Sequence, residues 1–170
     1  TVNVGIQNNQ YSIRMLGIDT PELHFQGKAQ PVWGQLAKDN MDRMVKVGDQ
    51  VLLDTESQVC DKYGRILAHV FKGNININLM QITQGFAVNY CIYPNVKRCT
   101  EYTKAIEPVF YNKIGIFSDP NLVVPYVWRK QQQGLPMDKW VSDIRTGKLY
   151  SPSRYYIIPL PYRVFYLTKP

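Results

Sequence analysis

Hydrophobic and polar positions alternate from the start of the chain. Val2, Val4 and Ile6 are separated by a polar residue and a glycine, and Asn8-Asn9 gives a turn signal before Tyr11–Ile18. This predicts a β-hairpin. The period then lengthens: Pro31 suits a first helical turn, and Trp33, Leu36, Ala37, Met41 and Met44 recur at helical spacing until Gly48, which predicts an amphipathic helix. Val51-Leu52-Leu53, Ile66–Phe71 and Ile75–Ile77 read as strands, the last two joined through Lys72-Gly73-Asn74. Asn78 is placed to cap a short helix through Gln84 that Gly85 closes. Tyr102, Ala105, Ile106, Val109 and Phe110 mark a further helix ending near Gly115, which Pro108 should kink or split because it lacks a backbone donor. With no βαβ alternation and no repeat, this order favours a small mixed α+β fold around a curled antiparallel sheet. An oligonucleotide-binding (OB-fold) barrel with packed helices is one solution, which periodicity alone does not single out.

Composition divides the chain. Its 170 residues, 45% hydrophobic, are enough to bury a core. No apolar run reaches the length of a membrane-spanning helix. The net charge of +7 favours anionic partners, nucleic acid or an acidic membrane surface. Up to residue 120 there are twelve Lys and Arg against eleven Asp and Glu; beyond it, eight against two. The last fifty residues also hold six of the twelve tyrosines. These features predict a near-neutral domain over 1–130 and a basic, Tyr/Pro-rich extension over 131–170. Within the extension, Tyr155-Tyr156-Ile157-Ile158 and Val164-Phe165-Tyr166-Leu167 have strand propensity and too many large apolar groups to stay solvated. They should pack on the domain or on another protein, or extend a nucleic-acid groove.

Cys91 and Cys99 flank the turn-forming Pro94-Asn95, so either a small disulfide loop in an oxidising compartment or two free thiols fits the spacing. Cys60 is left over and expected to be buried beside a strand. Two histidines and no CxxC argue against structural zinc.

Chemistry concentrates first at Asp19-Thr20-Pro21-Glu22, where two carboxylates three residues apart end a strand. Carboxylate and carbonyl oxygens suit a hard cation, and a free Glu can orient or deprotonate water; an ordinary turn leading into a helix has the same sequence. Arg14 lies on the strand entering that loop and can neutralise phosphate charge. Asp61-Lys62-Tyr63-Gly64-Arg65 supplies a second guanidinium at a turn, or is a solvated hairpin. Tyr90 and Tyr93 can stack on bases or simply pack. No GxSxG, Walker loop or HExxH occurs.

Taken together, Arg14-Met15-Leu16-Gly17-Ile18-Asp19-Thr20-Pro21-Glu22, then Asp61–Ala68, Ile77-Asn78 and Gln84-Gly85-Phe86-Ala87 resemble the staphylococcal nuclease (thermonuclease) family over about residues 1–120. The resemblance implies a five-stranded OB-fold barrel with three helices, and calcium-dependent endonuclease hydrolysis of DNA and RNA leaving 3′-phosphates. It implies Asp19 and the Thr20 carbonyl as Ca2+ ligands, Glu22 as the residue engaging the attacking water, Arg14 and Arg65 as phosphate clamps, and Lys62 and Tyr63 as contacts to a substrate phosphate. Tyr93, and less directly Tyr90, match the tyrosine beside the nucleotide base. Another calcium-binding Asp of the family falls immediately before Thr1-Val2, just outside this sequence.

The leading expectation is therefore a metal-dependent nuclease, secreted or in the periplasm or cell envelope, with DNA or RNA as substrate. The alternative is a non-catalytic nuclease-like subunit of a larger assembly, such as bacterial envelope or secretion machinery, docking through residues 131–170. A nucleic-acid binder without hydrolysis is a third reading, disfavoured by the near-neutral domain.

Overall fold

The computed structural model describes residues 1–170. Strands β1 (Val2–Ile6) and β2 (Asn9–Met15) form the hairpin, turning at Gln7-Asn8, one residue earlier than expected. Both turn residues have positive φ, 47° and 68°, as a two-residue turn matched to strand twist requires. β2 runs parallel to β5 (Ile66–Lys72), which pairs antiparallel with β4 (Leu52–Cys60) and with the short β6 (Ile75–Asn76).

At Leu16-Gly17 the chain leaves this sheet and turns a corner into β3 (Gly17–Asp19), which pairs with β7 (Val88–Ile92). Gly17 has φ +72°, and a Cβ there would lie 2.5 Å from the Tyr102 ring, so both backbone and packing demand glycine. The corner ends the first sheet, order β1-β2-β5-β4, and starts a second, order β3-β7-β10-β8-β9. This corrects the expected single five-stranded barrel: α+β holds, but two sheets replace one closed ring. Between the end of β4 and the segment after β7, the buried Asn95 side chain accepts from Gln58 N–H at 2.9 Å and donates to Gln58 C=O at 2.8 Å, imitating a ladder pair.

Four α-helices, not three, accompany the sheets: α1 (Trp33–Met44), α2 (Ile77–Thr83), α3 (Cys99–Tyr111) and α4 (Pro125–Gln132). Pro108 lies inside α3 without splitting it, because a proline removes only its own donor while the rest of the ladder persists. Asn76, not Asn78, caps α2 by accepting from Leu79 N–H at 3.1 Å. Asn78 is instead fully buried, accepting from Val70 N–H and donating to Leu16 C=O, and so holds the corner.

Residues 140–166 complete the second sheet. β8 (Trp140–Asp143) and β9 (Leu149–Tyr150) form a hairpin, and β10 (Arg163–Tyr166) runs between β7 and β8. The strand expected at Tyr155–Ile158 is instead a 3-10 turn over Pro152–Ile157, with Pro152 fixing the first φ. Val141, Ile158, Leu160, Tyr162 and Phe165 share one buried cluster with Ile13, Ile18, Val88 and Tyr102. No helix is long and apolar enough to cross a membrane. Cys91 and Cys99 are disulfide-bonded, whereas Cys60 is exposed at the end of β4 and not buried as expected.

Candidate active site

The acidic loop begins where β3 ends. Asp19 pairs with Val88 across the ladder, and its side chain is 1% exposed. Arg14, five residues earlier on β2, reaches the same end: its Nη2 donates to Asp19 Oδ1 at 3.2 Å. Glu22 follows Pro21 and is held by its backbone. Gln30 N–H donates to Glu22 C=O at 2.7 Å, and Glu22 N–H to Gln30 Oε1 at 3.2 Å. Gly34 of α1 lets the helix come this close, since a Cβ there would lie 2.6 Å from Glu22 O. Gln30 Nε2 donates to Val123 C=O at 2.7 Å, and Trp33 Nε1 to Asp119 Oδ2 at 3.0 Å. The acidic loop is thereby registered against the segment leading into α4.

From α4 comes the residue that sequence reasoning missed. Arg129 donates through Nη1 to Asp19 Oδ1 at 3.0 Å and through Nη2 to Asp19 Oδ2 at 2.8 Å, while Nη1 also reaches Glu22 Oε1 at 2.5 Å. This two-pronged pairing is the geometry for which a guanidinium is suited. Burial disfavours the Arg129 charge, but Asp19 and Glu22 outweigh it and push its pKa above the ordinary value. The helix is anchored one turn earlier by the buried Tyr126, whose ring stacks on Tyr90 at 4.8 Å between centroids and whose hydroxyl accepts from Arg163 Nη1 at 2.8 Å. Pro125 marks a helix start in the sequence, and Tyr126 and Arg129 share a face. Nothing local identifies the partner.

A cavity of about 390 Å³ opens beside the corner and is lined by Thr1, Arg14, Thr20, Glu22 and Lys38 among others. Arg65 reaches its rim: Nη1 donates to Thr1 Oγ1 at 3.3 Å, and Nε to Asp61 Oδ2 at 2.7 Å. Burial raises the Asp61 pKa, but hydrogen bonds from the Arg65 side chain and from the Arg65 and Tyr63 backbone prevail and leave it below the ordinary 3.8. Lys62 and Tyr63 are exposed, with Lys62 Nζ 5.1 Å and Arg65 Cζ 5.5 Å from the Tyr63 ring centre. Tyr93 is 55% exposed and one face of its ring stacks on Tyr166.

One expectation fails here. Tyr90 is 7% exposed, with Tyr126 on its face and Phe165 at its edge. Both α4 and β10 cover it, so it has no surface for a base. With Arg129 docked, the corner does not offer Ca2+ a set of free ligands. Guanidinium N–H groups occupy both Asp19 oxygens and one of Glu22, and no three acidic, His or Cys side chains are grouped to hold an ion. Hard cations need several free oxygen ligands.

A family model described as "Staphylococcal nuclease homologue" matches residues 12–119. Endonuclease YhcR of Bacillus subtilis is 26% identical over 164 residues, covering 91% of this chain and 14% of that protein. A coverage of that size necessarily reaches beyond residue 119 into the C-terminal segment. An uncharacterized endonuclease of Haemophilus influenzae is 32% identical over 126 residues, 74% of this chain and 64% of that protein. The thermonuclease of Staphylococcus hyicus is 32% identical over 97 residues, 57% of each chain. This chain thus spans only a part of these relatives.

Proposed function

This chain belongs to the staphylococcal nuclease family, and on that premise we propose that it is an endonuclease hydrolysing DNA or RNA phosphodiesters to leave 3′-phosphates. The observation that carries the reading is one cavity lined by Arg14, Thr20 and Glu22, with Arg65 at its rim. In this reading the guanidinium groups of Arg14 and Arg65 bind the non-bridging phosphate oxygens and neutralise the charge that grows as phosphorus becomes five-coordinate. Glu22 takes a proton from water, the resulting P–O bond forms in line, and the bond to O5′ breaks, its oxygen taking a proton from solvent. Lys62 and Tyr63, exposed at the Asp61–Arg65 turn, contact the next phosphate, and the free face of Tyr93 accepts a base. The disulfide suits a secreted or envelope location.

Calcium dependence, which the family resemblance implies, stands apart from these roles, because the ion has no free Asp19 oxygen while Arg129 is docked. A second reading has one observation in its favour: Arg129 saturates the very carboxylates an enzyme would use, as suits a non-catalytic subunit of a larger assembly. Plasmid nicking separates the two. The endonuclease cuts, and Glu22→Gln and Arg65→Ala each abolish cutting. A folded protein that leaves plasmid intact with calcium, magnesium or chelator overturns the enzyme reading.

A further inference from the structure

Arg129 and a divalent cation would compete for the same oxygens. We propose that Arg129 is a resident counter-cation of the Asp19–Glu22 corner, which calcium must displace, so that bound calcium and the Arg129 ion pairs exclude each other. The consequence for cutting rests on the endonuclease reading above; the competition itself does not.

Charge and access both lead there. Asp19 and Glu22 carry two negative charges, and Arg14 and Arg129 already balance them. A dication entering with Arg129 in place would meet an uncompensated guanidinium a few ångströms away and would find its ligand oxygens already used. With Arg129 withdrawn, Asp19 Oδ2 and Glu22 Oε1 are released, while Asp19 Oδ1 keeps only its bond from Arg14. Entry is open: the Glu22 side chain is 24% exposed and lines the cavity. The exchange also asks little of the fold. Tyr126 in the first turn of α4, packed on Tyr90 and bonded to Arg163, keeps the helix seated, while Arg129 sits on a flexible stem a turn later with 19% of its side chain exposed. Swinging that side chain clears the corner without undocking the helix. The lock thus comes from the C-terminal segment, since Arg163 of β10 holds the helix that carries it.

Titration calorimetry of calcium into the chelator-treated full chain, with no nucleic acid, tests this directly. R129Q is expected to bind calcium at least tenfold more tightly than the unaltered chain, whereas K148Q, which removes an exposed positive charge elsewhere, changes affinity less than twofold. R129K keeps the charge but loses the fork and should fall between, and it serves if R129Q does not fold. In parallel, nitrogen-15 spectra should show the Arg129 Nε–H signal moving as calcium is added to the unaltered chain. Equal or weaker calcium binding by the Arg129 variants, an unmoved Arg129 signal, or no binding by any form overturns the proposal. Tighter binding by R129Q without any plasmid cutting leaves the competition standing and removes the endonuclease reading. Cutting by a chain whose calcium affinity ignores Arg129 does the reverse.

Discussion

Two buried carboxylates organise this molecule, and they are treated in opposite ways. The Glu56 side chain is 5% exposed, and its Oε1 lies 2.7 Å from His69 Nε2 while Oε2 accepts from Lys97 N–H at 2.9 Å. The network closes on itself: His69 Nδ1 lies 2.7 Å from Tyr102 Oη, which accepts from Asn76 Nδ2 at 3.1 Å. One tautomer satisfies every member, with Nε2–H donating to Glu56 and Tyr102 O–H donating to Nδ1. Asp19 is equally buried, yet its partners are two arginines and its companion Glu22 faces a cavity. A closed network, with every donor and acceptor matched, adds rigidity and offers no reactive group. An acidic corner neutralised by movable cations keeps its charge available.

If that contrast is right, changes at the corner should move chemistry and changes in the closed network should move stability. The largest effect is Glu22→Gln, expected to lower cutting by about 10²–10⁴-fold while the urea midpoint stays close to that of the unaltered chain. A parallel large loss of stability would erase the distinction. The disulfide comes next. It closes a loop spanning eight residues and fixes Cys99, the first residue of α3, one turn before Tyr102. Replacing both cysteines by serine should cost about 2–3 kcal/mol in urea unfolding by chain-entropy reasoning, with cutting per folded molecule unchanged.

Tyr102→Phe is a smaller break. It leaves His69 Nδ1 and Asn76 Nδ2 without their shared partner and should cost about 1–3 kcal/mol, again with cutting retained. The smallest effect is on pH dependence. Burial holds the His69 imidazole below its ordinary 6.5 against the pull of Glu56, so on acidification the unfolded chain takes up the proton first. This contribution is intact above pH 6.5 and is lost as pH falls below it. His69→Gln should flatten that acid-side slope in melting curves taken from pH 7 to pH 5; an unchanged slope would mean that the imidazole takes up its proton alike in the folded and unfolded chain.

Much of this was legible in the chain. The hairpin, α1, the strand β5 and the α+β class follow from periodicity, which is local. Arg14, Asp19, Thr20 and Glu22 lie within nine consecutive residues, and the structure keeps them together at one cavity. The Cys91–Cys99 bridge formed as one of two open alternatives. Three readings went astray for one reason. Tyr90 reads as a stacking surface until Tyr126 and Phe165 cover it, Tyr155–Ile158 has strand composition but starts from Pro152, and the barrel stays open because β10 takes the edge of β7. Each depends on what arrives from a distant part of the chain.

The sequence alone determined the order of elements, the acidic loop at a strand end and the arginine strand beside it, because backbone preference and side-chain alternation act over a few neighbouring residues. Tertiary structure alone decided the charge state of that loop's surroundings. Arg129 stands 110 positions from Asp19, and it is one of twenty Lys and Arg with no local mark of its partner. Electrostatic pairing depends on distance in space, and only the docking of α4 beneath β10 brings that guanidinium to those oxygens.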